Sequence, residues 1–199
     1  MSLSLLPIDM STPISVFSFP KASDTSHDDL AASLQAKPEV VRVAHGSRME
    51  NPDQSEFVIF WTPDATPSIP SELSKHCTGE HKIHHVKFQN KDAAYKALKA
   101  PVTEFITFSC LNPEKDLSAL EGLLKQGNDL HLGAPGYHDG DAGFIDDGQN
   151  AVVIAGWDSK EAHAAFAATG VIKPVFAQWM QYINPATIVV YHVSLNHLE

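Results

Sequence analysis

The chain is poor in the residues that mark several familiar kinds of protein. Only two of its 199 residues are cysteine, Cys77 and Cys110. Two cysteines cannot build a disulfide framework, and neither stands in a spacing that would hold zinc. The expected home is therefore a reducing compartment, the cytoplasm. Positive charge is also scarce, with 14 Lys and Arg against 24 Asp and Glu and a formal net charge of −10. That field suits neither nucleic acid nor an anionic membrane surface, so neither is an expected partner. Long apolar runs are missing too. The longest, such as Ala151 to Ala155, are strand-sized and far short of the roughly 20 residues a membrane helix needs. The stretch from Met1 to Met10 has no basic region before its apolar patch and no small-residue cleavage site after it, so it is not read as a signal peptide. No Gly-x-Gly-x-x-Gly and no phosphate loop occurs, which sets nucleotide cofactors aside. The Asp- and Gly-rich segment 139–148 lacks the oxygen-ligand spacing and closing glutamate of an EF-hand and is expected to be a solvated hairpin loop. No histidine pair at i, i+4 has an obvious third ligand, so no metal site is expected.

What is present is apolar content of 43% with 9% aromatic, enough to build real cores, and a repeat. Pro13 to Phe19 reads as a strand that returns as Glu104 to Cys110. Each is followed by a helix. The first is opened by Ser26 with Asp29 three residues on and carries Leu30 and Leu34. The second is opened by Asn112 and Pro113 and carries Leu117, Leu120 and Leu124. Next comes a strand ending in glycine, Val40 to Gly46 answered by Leu130 to Gly136. A β-rich run then ends in tryptophan, Phe57 to Trp61 answered by Val152 to Trp157. Another helix follows each tryptophan. It is clearest where Asp158 caps and Glu161 caps back, and weaker near Ser71 to Cys77, which Pro63, Pro67 and Pro70 delay. The last strands are Ile83 to Phe88 and Val190 to Leu195, which pair His85 with His192. Equivalent positions drift apart towards the end of the chain, placing an inserted short helix in 170–184.

Each half therefore reads β-α-β-β-α-β. A four-stranded antiparallel sheet with helices on one face needs cover on the other, and two copies can cover each other. The expected fold is α+β, two tandem ferredoxin-like βαββαβ repeats forming an intrachain pseudo-dimeric α+β barrel. Residues 1–100 form the first, degenerate repeat and 101–199 the second. The chain is expected to be a monomer with pseudo-two-fold symmetry or a homodimer.

The run from Ile154 to Phe166, with Gly156-Trp157-Asp158 at the turn from strand to helix, resembles the signature of the dimeric α+β barrel superfamily. Within it the chain is similar to the antibiotic biosynthesis monooxygenase-like proteins, particularly the fungal members with tandem repeats. That resemblance implies a small-molecule pocket, often for polycyclic or polyketide substrates, and in several members oxygenation or cyclisation with no metal, flavin or other prosthetic group. Other members handle haem or have a stress-linked name, so the fold alone does not decide the function. The His-Pro-x-x-His-like segment of the plant polyketide cyclases is not reproduced; only His163 occupies a comparable stretch.

Eleven histidines give the chain many groups that titrate near neutrality. His163, three residues before Phe166, shares its helix face and leans between helix and sheet. It can serve as a neutral base towards a proton α to a carbonyl, or it is a half-exposed surface histidine. Parity sets His85 beside Ile83 and His192 beside Val190, so both are expected on buried sides, either as satisfied core histidines or facing one cavity. His131 is placed on a strand, opposite in facing to Leu130 and Leu132. Tyr137, Trp157, Phe166, Trp179 and Phe105 are the candidate lining of an apolar pocket in the second half, with the inserted segment as its lid. The leading expectation is a cofactor-independent monooxygenase or polyketide cyclase of specialised metabolism acting on a small hydrophobic substrate. His163 is its base, and His131 or His192 polarises the substrate oxygen. The competing class is a non-catalytic ligand-binding or stress-response barrel, with a haem-handling protein third.

Overall fold

The computed structural model describes residues 13–20, 26–68, 82–145 and 148–197. The first strand, β1 (Ile14–Pro20), sets the pattern, because both of its faces are apolar and both are buried. Ile14 and Val16 point one way, Phe17 and Phe19 the other. After it come α1 (His27–Gln35), β2 (Val40–Ser47), β3 (Gln54–Trp61), β4 (Lys82–Phe88) and the linking helix α2 (Lys91–Leu98). The chain continues through β5 (Val102–Ser109), α3 (Pro113–His131), β6 (Tyr137–Ile145), β7 (Asn150–Trp157), α4 (Lys160–Thr169), α5 (Lys173–Trp179), β8 (Val189–Val193) and the two-residue β9 (Asn196–His197). The expected short helix near Ser71 lies outside the described residues.

All pairings are antiparallel, and the strands run in the order β8-β5-β7-β6-β4-β1-β3-β2-β9. The first four strands are ordered β4-β1-β3-β2, and β5 to β8 repeat that order as β8-β5-β7-β6. The sheet curls until its ends meet, where Arg48 bridges to Val193. The inner face encloses Val16, Phe60, Phe88, Phe105, Ile154 and Tyr191, and α2 plugs this space with Ala94, Ala97 and Leu98. Three helices start where short polar side chains satisfy their free N–H groups, whereas Asn112, expected to open α3, makes no such bond. Ser26 caps α1 through the N–H of Asp29, Asn90 caps α2 through that of Ala93, and Ser159, one residue after the expected Asp158, caps α4 through that of Ala162. Gly170, at φ 71°, ends α4 in the left-handed conformation.

Two expectations about the second half are corrected. Residues 130–136 are not a strand. The Leu stripe carries α3 on to His131, and Gly133 and Gly136, with φ of 85° and 77°, turn the chain. The following strand β6 takes up residues 139–145 of the Asp- and Gly-rich segment expected to be a loop. Its polar composition misleads because Asp141 is buried and accepts a 2.6 Å hydrogen bond from the N–H of Asn90, capping the join to α2. Gly143 leaves room for Val86 where β6 meets β4. The counterpart of Gly46 in the second half is accordingly Gly143 and not Gly136, because Glu56 of β3 faces the one as Val152 of β7 faces the other.

Candidate active site

The outer face of β5, β7 and β6 lies beneath α3, α4 and α5. Along β5, Glu104 alternates onto the same side as Ile106 and Phe108, which puts a carboxyl on an otherwise apolar face. Trp157, at the end of the neighbouring strand, donates its Nε1–H to Glu104 Oε2 at 3.2 Å. The Ser159 cap then starts α4, and one turn later His163 stands over the indole, with ring centroids 5.2 Å apart. His163 Nε2 lies 3.3 Å from Glu104 Oε1, and its Nδ1 lies 2.8 Å from Nε2 of His192. Strand pairing supplies the last contact, since His192 on β8 stands directly across from Glu104.

A group from the first half of the chain completes the row. Past the end of β2 the chain pairs with β8: Arg48 bridges to Val193, its guanidinium lies 3.7 Å from the Tyr191 ring centre, and Met49 N–H donates to His192 O at 2.8 Å. This seam brings the Glu50 carboxylate onto His192, where it accepts from the backbone N–H at 2.8 Å and meets ring Nδ1 at 2.7 Å. Lys160 Nζ lies 2.6 Å from the same Glu50 oxygen, Oε1, that meets His192 Nδ1.

The electrostatics assign the protons. Burial pushes the Glu50 carboxyl up, but hydrogen bonds from Lys160 and His192 outweigh it and hold its pKa at about 2. Glu50 is thus an acceptor only, so His192 Nδ1 carries a hydrogen towards it, and in the neutral ring Nε2 is left to accept. His163 Nδ1–H then donates to His192, and His163 Nε2 presents its lone pair to Glu104. Burial, reinforced by the charges of His192 and His131, lowers His163 to about 4. Glu104 is driven by burial up to about 7, against the Trp157 hydrogen bond and with the Glu50 charge adding to the rise. Between about pH 4 and pH 7 the site thus contains a neutral imidazole beside a mostly protonated carboxyl.

Glu104 and His163 form part of the wall of a cavity of about 270 Å³. Ile106, Val153, Phe166, Ile172 and Phe176 make most of the remaining wall apolar. Of the expected site residues, Tyr137, His131 and Trp179 also line it. His131 reaches it from the last turn of α3, not from a strand, because that segment is helical. Its Nδ1–H donates to Gly127 O at 2.7 Å, leaving Nε2 as an acceptor. Burial lowers the pKa of His131. The Tyr137 hydroxyl donates to Asn128, and burial together with nearby carboxylates keeps it far from ionising. The buried Trp179 indole N–H has no hydrogen-bond partner among the described residues. Trp157 and His192 stand behind His163, so His192 supports the imidazole without lining the cavity.

Two expected residues lie elsewhere. Phe105 points through the sheet to its inner face, where it stacks on Tyr191 with centroids 5.2 Å apart, because neighbours on a strand face opposite ways. His85 is at the far side of the sheet and is exposed, not buried. The buried side of β4 is the one carrying Val86 and Phe88, and His85 rests its Nδ1 2.7 Å from the Ser15 hydroxyl. Sequence reasoning missed Glu104, Glu50 and Lys160. Glu104 left one trace, a carboxylate at a position where β5 alternation demands an apolar residue. Glu50 left none.

Glu104, His163 and His192 bring donor atoms within 4.8 Å of one another, a spacing at which such a set can hold a metal ion. The same donors are also engaged with one another and with Trp157. Both His163 nitrogens face protein partners on opposite sides, and Glu104 uses its second oxygen on Trp157. The arrangement is a line of hydrogen bonds, suited to moving a proton.

No family model matches the chain, and no curated protein matches it. Solved structures do match in fold. An anthrone oxidase-like protein superposes with a TM-score of 0.67 at 12% identity, over 96% of this chain and 94% of its own. A protein of Lactobacillus acidophilus NCFM provisionally described as a monooxygenase gives 0.59 at 11% identity, over 94% of this chain and 100% of its own. An uncharacterized ferredoxin-fold protein of Listeria monocytogenes, related to antibiotic biosynthesis monooxygenases, gives 0.50 at 12% identity, over 92% of this chain and 95% of its own. At these identities the likeness is one of fold: this chain has the ferredoxin-like α+β architecture of monooxygenase-like proteins.

Proposed function

We propose that this protein is a cofactor-independent enzyme. It takes a proton from a small, flat, apolar substrate bearing an enolisable or phenolic group, aromatic or polyketide-like, as the opening step of an oxygenation or cyclisation. One observation carries the reading: a neutral imidazole and a protonated carboxyl stand side by side in the wall of an apolar cavity. On substrate entry the Glu104 hydroxyl turns from His163 Nε2 to the oxygen on which negative charge develops, and the freed Nε2 accepts the C–H proton. Glu104 thus takes the polarising role first given to His131 or His192. With its free Nε2 acceptor, His131 suits a substrate hydroxyl, and the Trp179 N–H suits a substrate oxygen. The anthrone oxidase-like neighbour agrees with a polycyclic substrate.

The same reading treats the chain as two tandem ferredoxin-like repeats, 1–100 and 101–199, folded as a pseudo-dimer within one polypeptide. The apolar pocket lies in the second repeat, with α5 as its cover. The free thiol of Cys110 suits the cytoplasm. The test is a panel of aromatic ketones and phenols, scored for thermal stabilisation and for turnover with and without oxygen. His163→Ala should abolish turnover while leaving ligand affinity within a few-fold. Survival of both would place His163 outside the chemistry. Binding without turnover in the unaltered protein would assign it to the ligand-binding class.

A further inference from the structure

The row of titratable groups does not stop at the cavity wall. From Glu104 it passes through His163 and His192 to Glu50, with successive contacts of 3.3, 2.8 and 2.7 Å, and Glu50 with its partner Lys160 is partly open to solvent. Each imidazole uses one nitrogen towards the cavity and the other towards the surface, the arrangement that passes protons along a line. His163 is a weak base at a pKa of about 4, and a weak base works better when its proton is carried away.

We propose that His192 and Glu50 form a proton outlet for the cavity, and that Glu50, contributed by the first half of the chain, is a positioning residue for the site in the second. The inference rests on the reading that a proton is taken up at His163. As His163 Nε2 gains a proton, its Nδ1–H passes to His192 Nε2. The His192 Nδ1–H passes to the Glu50 carboxylate, which releases it to water. One proton enters at the cavity, one leaves at the surface, and no other bond changes. The two imidazoles end in their opposite tautomers, and the reverse sequence returns a proton to the product. Lys160 sets the transfer from His192 to Glu50, because its ammonium lies on the accepting oxygen, Oε1, stabilises the carboxylate and makes it a poorer proton acceptor. The groups facing His163 from the surrounding elements are Glu104 on β5, Trp157 on β7, His192 on β8, His131 on α3, and Lys160 one turn earlier on α4. Glu50 lies beyond His192. Among the described residues this is the row of titratable side chains that joins the cavity to solvent through hydrogen bonds.

The test needs no substrate. In protein with 15N-labelled histidine rings, nuclear magnetic resonance reads which nitrogen of His163 and His192 carries hydrogen and how fast each ring N–H exchanges with water. Nδ1–H is expected on both rings. Glu50→Gln, which keeps an acceptor oxygen but loses the basic carboxylate, should slow exchange of the His163 and His192 ring hydrogens by about tenfold or more with the fold unchanged. Lys160→Met, which frees the carboxylate, should speed it up. Opposite effects of the two variants distinguish a relay from a merely structural contact, which would shift both in one direction or neither. Unchanged exchange in a folded Glu50→Gln protein would overturn the outlet, as would a His192 whose Nδ1 carries no hydrogen. If Glu50→Gln fails to fold, Lys160→Met decides alone, and unchanged exchange in it counts against the proposal. Confirmed exchange without turnover of any ligand would count against the enzymatic reading instead.

Discussion

The spaces beneath the helices at the two ends of the sheet are built on matching positions and differ in content. Under α1 the described residues form a packed core of Phe17, Phe19, Phe57, Trp61, Leu30 and Leu34. Under α3, α4 and α5 it holds a cavity of about 270 Å³. The strand registers make the comparison close. Ser15 faces His85 across β1 and β4 as Glu104 faces His192 across β5 and β8. Trp61 donates its indole N–H to Ser15 Oγ at 2.8 Å as Trp157 donates to Glu104. A hydroxyl in that position is satisfied by its neighbours and closes a core. A carboxyl there stays protonated because burial opposes its charge, and it leaves a reactive group at the edge of an open space. One backbone plan therefore serves as packing at one end and, on the proposed reading, as chemistry at the other.

The comparison breaks most readily in stability. Phe57→Ala, in the packed core under α1, should cost about 3–5 kcal/mol by chemical denaturation, because it leaves a hole that close-packed neighbours cannot fill. Ile172→Ala, on the cavity wall, should cost about 1 kcal/mol, since part of its contact is already lost. Equal losses would mean the two spaces are packed alike.

The next effect is in pH. The folded pKa of Glu104 is raised to about 7, so the folded state holds more protons than the unfolded one. The resulting stability is fully present below about 4.5 and lost as pH rises through 7. Glu104→Gln should be more stable than the unaltered protein at pH 8, by about 3 kcal/mol, and should show no such gain near pH 4. Identical melting profiles of the two proteins across that range would show an ionised Glu104. On the same assignment, turnover should fall above about pH 7 as Glu104 ionises and below about pH 4 as His163 is protonated. Glu104→Gln, which still donates a hydrogen bond, should lose the upper limb alone in a pH-rate profile.

The smallest effect sharpens the comparison from the other side. Ala155→Val adds methyl groups to the cavity wall and should change stability by no more than about 1 kcal/mol while removing the thermal shift given by a bound aromatic ligand. A retained ligand shift would place the binding site elsewhere.

The alternation of β1, β3, β5 and β7, the two tryptophans and the Leu stripe of α3 made the architecture legible in the sequence, as did the place of His163 one turn before Phe166. The start of β6 was not legible. Asp and Gly at 139–143 look like a solvated turn, and only tertiary contact, Asp141 capping α2 and Gly143 passing Val86, makes a strand there. The pairing of His85 with His192 matched the strand registers, yet burial separated them, because cover over a strand is a property of its neighbours. Glu50 could not be read at all. It joins His192 across 142 residues of chain, through a seam that exists only when the sheet closes.

The most direct measurement is hydrogen–deuterium exchange at carbon in a flat enolisable ketone. Anthrone in anaerobic deuterated buffer near pH 6 can be followed by proton nuclear magnetic resonance with unaltered protein and with His163→Ala, binding being checked in parallel by thermal shift. The account predicts exchange at the acidic carbon at least tenfold faster than buffer alone, and lost in the variant that still binds. Exchange no faster than buffer despite binding, or equally fast with His163→Ala, would contradict it.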